Sequence, residues 1–142
     1  MYGTLARQDG LTIRFSAALE NVDTACNEVG RMMTERRIRE SAFATELLMR
    51  EALNNAVVHG SRGDTTKTVE CTVRFHENYL MIEVHDEGDG FRWQSATQET
   101  MATGASSGRG LPIMNAYATE VLFNEKGNRL TLKIPLPREE AV

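Results

Sequence analysis

"REALNNAVVHG", residues 50–60, has the apolar spacing of a helix that packs against a core, and His59-Gly60 closes it. Each helical residue advances about 100°, so Glu51, Asn55 and His59 step about 40° at a time and share a face. Leu47, Leu48 and Val58 fall on that same side, whereas Asn54 points away, toward Arg50. A carboxylate and an amide set among apolar residues need partners. Two explanations stay open at this point: a capping or hydrogen-bonding role inside the core, or a bound ligand.

Outward from this helix the chain alternates clear patterns. The full helix is predicted over 41–59, with Ser41 as its cap and Gly60 as its stop residue. Before it, "NVDTACNEVGRMMTERRI" (21–38) predicts a helix with a Val22, Ala25, Val29, Met32, Met33 stripe, capped by Asn21. "LTIRFSA" (11–17) alternates Leu11, Ile13 and Phe15 with polar residues, as a half-buried strand does. After the helix, "KTVECTVRFH" (67–76) and "YLMIEVHD" (79–86) form a hairpin around Glu77-Asn78. Residues 87–109 are rich in Ser, Thr and Gly and lack periodicity; a loop this long is usually functional or mobile. "LPIMNAYA" (111–118) predicts a short helix with Pro112 in its first turn. "EVLFNE" (120–125) and "RLTLKIP" (129–135) form a second hairpin around Lys126-Gly127-Asn128. The order β-α-α-β-β-loop-α-β-β predicts an α+β fold, a two-layer sandwich with a mixed, mostly antiparallel sheet and helices packed on one face.

At 142 residues the chain is sized for one domain, 1–142, with core enough to fold unstapled. A net charge of −4 argues against nucleic acid as a partner. The local basic cluster "RRIR" (36–39) reads as a solvated helix end. Cys26 and Cys71 make no metal or redox spacing and read as free thiols. "MYGTLARQDG" is no signal stretch, and no apolar run reaches membrane length, so a cytoplasmic location is expected. The tail after Pro135, "LPREEAV", reads as frayed.

Two further motifs follow the helix. "VHDEGDGF" (84–91) ends an apolar strand with Asp86-x-Gly88-x-Gly90. Glycines there let the chain turn sharply and a flat ligand approach, and Asp86 could accept a hydrogen bond from an amino group. The oxygen ligands do not recur as an EF-hand loop requires. "SSGRGLPIM" (106–114) opens a helix with Gly108-Arg109-Gly110, whose backbone N–H groups suit phosphate. A dinucleotide fingerprint would need glycine at Ile113, and the Gly-Lys-Ser/Thr of a Walker A loop is absent. Each motif alone also fits a plain turn or a flexible joint.

In this order the motifs resemble the nucleotide site of the GHKL (Bergerat-fold) ATPase and kinase superfamily. Within it the chain resembles the anti-sigma-factor serine kinases of the RsbW and SpoIIAB type, over about residues 10–136. That branch is suggested by His59-Gly60, the short lid, and the lack of a dimerisation helix with a phosphoacceptor histidine. The resemblance implies ATP and Mg²⁺ as ligands. It makes Glu51 the general base and Asn55 the Mg²⁺ ligand. Asp86 would recognise adenine, with Gly88 and Gly90 in its turn. Gly108, Arg109, Gly110 and Leu111 would bind the phosphates, and 91–107 would be the ATP lid. It also implies a sigma factor and a STAS-type anti-anti-sigma protein as partners, and a homodimer.

The chain departs from the family pattern in two places. Ser106 and Ser107 stand where related kinases carry a basic lid residue; Arg92 is the one cation in 91–107, and Arg109 the cation that could compensate. Asn128-Arg129 stands where many relatives have a threonine near the adenine. The first departure motivates an alternative function, a non-catalytic nucleotide-binding module that sequesters a partner. A histidine-kinase or ATPase catalytic domain is a third reading, less compatible with so short a chain.

Overall fold

The structure is a computed structural model, and it describes residues 1–88, 114 and 116–136. Its strands are β1 (Tyr2–Arg7), β2 (Gly10–Ser16), β3 (Thr68–Phe75), β4 (Tyr79–Asp86), β5 (Glu120–Phe123) and β6 (Arg129–Pro135). Its helices are α1 (Leu19–Glu35) and α2 (Ala42–Asn55), and α2 runs on into a single π-turn, Ala56–Gly60. The strands form one sheet in the order β1-β2-β3-β4-β6-β5, and every pairing among the described residues is antiparallel. Both helices lie on one face, giving the expected α+β two-layer sandwich.

Strand alternation decides which side chains meet the helices. Leu11, Ile13 and Phe15 of β2, Val69, Cys71 and Val73 of β3, Leu80, Ile82 and Val84 of β4, and Leu130, Leu132 and Ile134 of β6 are buried in one core. Val22, Ala25, Val29 and Met33 of α1, with Leu48, Met49, Ala52 and Leu53 of α2, close it from above. The opposite sheet face is polar. Thr12 and Thr72 share a 3.1 Å hydrogen bond across β2 and β3, and Lys133 meets Glu120 at 2.8 Å across β6 and β5. Thr12 is buried in its pair, whereas the Lys133–Glu120 pair is partly exposed and contributes little to stability. Cys26 and Cys71 are free and buried; burial pushes the Cys26 thiol up to about 11 and the Cys71 thiol upward as well, so both stay protonated.

Several boundaries differ from the expectations. β1 precedes the first expected strand: it is an edge strand with nearly every residue exposed, so its sequence carries no buried alternation. α1 starts at Leu19, not Asn21, and Asn21 is not a cap. Its amide donates to the Ser16 carbonyl at 2.8 Å and braces the strand-to-helix joint. Ser41 does precede α2, but its hydroxyl donates to the Pro135 carbonyl at 3.1 Å and ties the helix start to β6.

α1 ends at Glu35 rather than Ile38, in a hydrogen-bonded stop. Ile38 N–H donates to the Met33 carbonyl at 2.8 Å, and Arg37 N–H to the Thr34 carbonyl at 3.0 Å. This is a Schellman closure with Arg37 left-handed at φ 60°, a position usually given to glycine. The strain, about 1–2 kcal/mol for a side chain in that region, is offset by burying Ile38 in the core beside Met33.

Of the short helix expected over 111–118, Met114, Ala116 and Tyr117 are helical, and Met114 is fully buried. Of the tail read as frayed, Leu136 is instead buried in the core and its N–H donates to the Asn78 carbonyl at 2.9 Å; the remainder, and the expected lid (91–107), lie outside the described residues. Among the described residues no helix is long and apolar enough to cross a membrane.

Candidate functional site

The site is built where α2 ends above the end of β4. Asp86 is the last residue of β4, and its parity matches Leu80, Ile82 and Val84, so its side chain points toward the helix layer rather than into solvent. The element overhead is the end of the π-turn, at Gly60. A Cβ on Gly60 would lie 2.4 Å from the Asp86 carboxyl carbon, so only glycine lets the two segments meet without displacing the carboxylate. Gly88 completes the contact. Its N–H donates to Asp86 Oδ1 at 2.7 Å, and a Cβ there would fall 1.9 Å from the Gly60 carbonyl oxygen. The sequence marks Gly60 as a helix stop and as part of the His59-Gly60 ending of the motif, not as a neighbour of Asp86. The structure makes it the roof over Asp86.

Asp86 is 8% exposed, and burial raises its pKa above the ordinary carboxylate value. The Gly88 N–H, His85, Lys67 and Lys126 pull the other way and do not overcome it. Oδ1 is occupied by Gly88, while Oδ2 accepts no hydrogen bond from any described residue. A buried acceptor with one open oxygen suits an amino group of a flat ligand.

Glu51 and Asn55 lie one turn apart on α2, both half-buried rather than fully buried. Neither side chain makes a hydrogen bond or ion pair with a described residue, so both keep their polar capacity for water or a ligand. The internal-hydrogen-bond explanation therefore has no support among the described residues. His59 does not continue the line. The turn over 56–60 closes across five residues instead of four, with Ser61 N–H donating to the Ala56 carbonyl at 2.8 Å. The regular 100° step therefore stops at Asn55, and His59 is exposed. π-turns within helices occur often at functional sites.

A third segment reaches Asp86 from the β5–β6 turn. Asp86 N–H donates to the Asn128 carbonyl at 3.0 Å, and the Asn128 side-chain amide faces the Asp86 carbonyl at 3.4 Å. The structure thus brings Asp86 and Gly88 together under the end of the helix that carries Glu51 and Asn55. Gly90, Gly108, Arg109, Gly110 and Leu111 lie outside the described residues. An open cleft of about 400 Å³, lined in part by Leu19, Val57, Val58 and Arg62, includes none of these site residues.

The donor set fits Mg-nucleotide. Among the described residues no cluster of three or more His, Cys, Asp or Glu could cage a metal. A single amide such as Asn55 matches a cation that keeps waters and takes its other oxygens from phosphates.

The histidine kinase-like ATPase domain family matches residues 15–134, which is most of the chain, and the protein belongs to that family. The match takes in Glu51, Asn55, Asp86 and the β5–β6 turn. Among curated relatives, an anti-sigma F factor of Geobacillus kaustophilus is 26% identical over 149 residues, spanning 92% of this chain and 94% of its own length. An anti-sigma F factor of Bacillus thuringiensis is 28% identical over 116 residues, covering 78% of this chain and 80% of its own. Among solved structures, the histidine kinase domain of a blue-light activated histidine kinase from Erythrobacter litoralis EL346 superposes with a TM-score of 0.52 at 15% identity. It covers 84% of this chain, which spans 62% of that one, and the likeness is one of fold.

Proposed function

We propose that this protein is an ATP-dependent serine/threonine protein kinase and anti-sigma factor, which binds a sigma factor and phosphorylates a STAS-type anti-anti-sigma protein. One observation carries the nucleotide part. A buried carboxylate with one open oxygen lies beneath the end of a helix whose Glu51 and Asn55 side chains are unengaged among the described residues. The similarity to anti-sigma F factors over most of the chain supports the partner part.

In this reading Asp86 Oδ2 accepts a hydrogen bond from the adenine amino group. Gly60 and Gly88 let the helix end seat closely on the Asp86 carboxylate, and Gly88 and Gly90 would let the base pack against the turn. Asn55 would hold Mg²⁺ through its amide oxygen, and the ion supplies charge neutralisation for the phosphates when bound. Glu51 takes the proton of a serine or threonine hydroxyl as that oxygen bonds to the γ-phosphorus. The bond to the β–γ bridging oxygen breaks, and ADP leaves with the electron pair. Such a transfer needs position and charge more than covalent help. Gly108, Arg109, Gly110 and Leu111 complete the proposal as phosphate-binding residues, with Arg109 as the cation. The work would be done in the cytoplasm, by a homodimer; the outer edge of β1, which no strand among the described residues pairs with, supports pairing with a second copy. Sedimentation as a monomer at high concentration would remove the dimer.

The test is transfer itself. Purified protein with γ-labelled ATP, Mg²⁺ and a candidate STAS partner is expected to place label on a serine or threonine of the partner. ATP binding without any transfer would sink the kinase reading. It would leave the second reading, a non-catalytic nucleotide-binding module acting by sequestration, which Ser106 and Ser107 in place of a basic lid residue favour.

A further inference from the structure

The β5–β6 turn is more heavily fastened than a hairpin turn needs. The Asn124 side-chain oxygen accepts three backbone N–H groups, from Gly127 at 2.8 Å, Asn128 at 3.0 Å and Arg129 at 3.1 Å. Its amide nitrogen then donates to Asn128 Oδ1 at 2.7 Å. That last bond has a consequence for orientation. With Oδ1 of Asn128 engaged by Asn124, its Nδ2 is the end turned to the Asp86 carbonyl, at 3.4 Å. The Asn128 carbonyl accepts the Asp86 N–H at 3.0 Å, so both main-chain polar atoms of Asp86 face Asn128. The last paired residues of β4 and β6 are His85 and Arg129, so Asn128 carries the grip one residue past the ladder, to the residue whose carboxylate faces the site.

We propose that Asn124 is a positioning residue for the nucleotide site, acting through Asn128 to hold Asp86 where its open oxygen meets the adenine amino group. The proposal rests on the reading of Asp86 given above. Holding the turn needs only an acceptor at position 124, which aspartate or serine also provides. Steering Asn128 needs an acceptor and a donor on one side chain, which an amide supplies and a carboxylate does not. Asn124→Asp therefore separates the two roles. It keeps an oxygen for the three N–H groups but sets a carboxylate against Asn128 Oδ1. The Asn128 amide must turn over, which withdraws its N–H from the Asp86 carbonyl.

The experiment measures ATP and GTP affinity by titration, and thermal unfolding, for the wild type, Asn124→Asp and Asn128→Ala. GTP is the control because guanine presents a carbonyl where adenine presents its amino group, so a displaced Asp86 costs ATP and not GTP. Asn124→Asp is expected to melt with the wild type and to bind ATP about 5–10-fold more weakly. Its GTP affinity is expected to be unchanged, so the preference for ATP shrinks. Asn128→Ala is expected to show the same narrowed preference. A wild type that prefers ATP, with an Asn124→Asp variant of the same preference, overturns the proposal alone. A wild type with no preference for ATP over GTP overturns the Asp86 reading, and the proposal with it. An Asn124→Asp variant that loses ATP and GTP binding in step with its melting transition also overturns it, because Asn124 then serves only the turn.

Discussion

Glu51→Gln is expected to slow phosphoryl transfer to the protein partner by about 10²–10⁴-fold, the usual contribution of a general base. ATP affinity is expected to stay within about twofold, because the substitution removes proton affinity and not a nucleotide contact. The folded protein should tolerate it. Glu51 is half-buried and makes no hydrogen bond or ion pair to a described residue, so glutamine of the same shape gives up no internal contact. Single-turnover transfer from labelled ATP, measured beside an ATP titration, reads both quantities. A variant that transfers at the wild-type rate would show that the proton goes elsewhere. A variant whose ATP affinity falls as far as its rate would make Glu51 a ground-state binding group. The two outcomes differ in where the loss appears, which is why glutamine is more informative than a truncation that also opens a hole.

Much of the fold was legible because burial writes a period into the sequence. β3, β4 and β6 each bury every second residue, and their expected bounds hold to within a residue at either end. The same alternation let Asp86 be placed at a strand end, and its parity with Val84 now explains why the carboxylate faces the helices. Where burial is absent the sequence is silent. β1 exposes almost all of its side chains and pairs on one edge only, so nothing in "YGTLAR" alternates against a core. Backbone devices are equally hidden. The π-turn shifts His59 off the Glu51–Asn55 line without changing the apolar pattern, since Ala56 and Val57 are still buried. A left-handed Arg37 closes α1 where a glycine would have announced the stop. Gly60 and Asn124 were visible as residues but not as parts of the site. Their roles depend on contacts with segments 26 and 38 residues away from Asp86 in sequence, and no local pattern encodes those contacts. The hairpin signal at Lys126-Gly127-Asn128 did locate the turn, and a second asparagine four residues before Asn128 was the one clue to the clamp.

Asp86→Asn is expected to weaken ATP binding by about 10–100-fold, the cost of losing a charged acceptor from a hydrogen bond, while leaving the fold as stable as the wild type or more so. The direction follows from burial. Desolvation raises the Asp86 pKa above its ordinary value of 3.8, against the opposing pull of the Gly88 N–H, His85, Lys67 and Lys126. The native protein therefore holds the Asp86 proton to higher pH than the unfolded chain does. Stability from this group falls as pH rises from 3.8 through the raised native value, and the cost persists above that window. Asparagine never ionises, so it removes the cost, and its oxygen can still accept the Gly88 N–H. Binding runs the opposite way in pH. The adenine amino group needs an acceptor, so ATP affinity of the wild type should fall on acidification through the same window, at pH values where an ordinary aspartate would still be charged. The variant should be weak throughout and lack that inflection. Titrations of both proteins with ATP across the acidic range, with thermal unfolding at each pH, test the two signs together. An Asp86→Asn variant that binds ATP as tightly as the wild type would separate Asp86 from base recognition. One that binds weakly but also unfolds more readily at neutral pH would instead make the carboxylate a structural group, held under Gly60 for the sake of the turn.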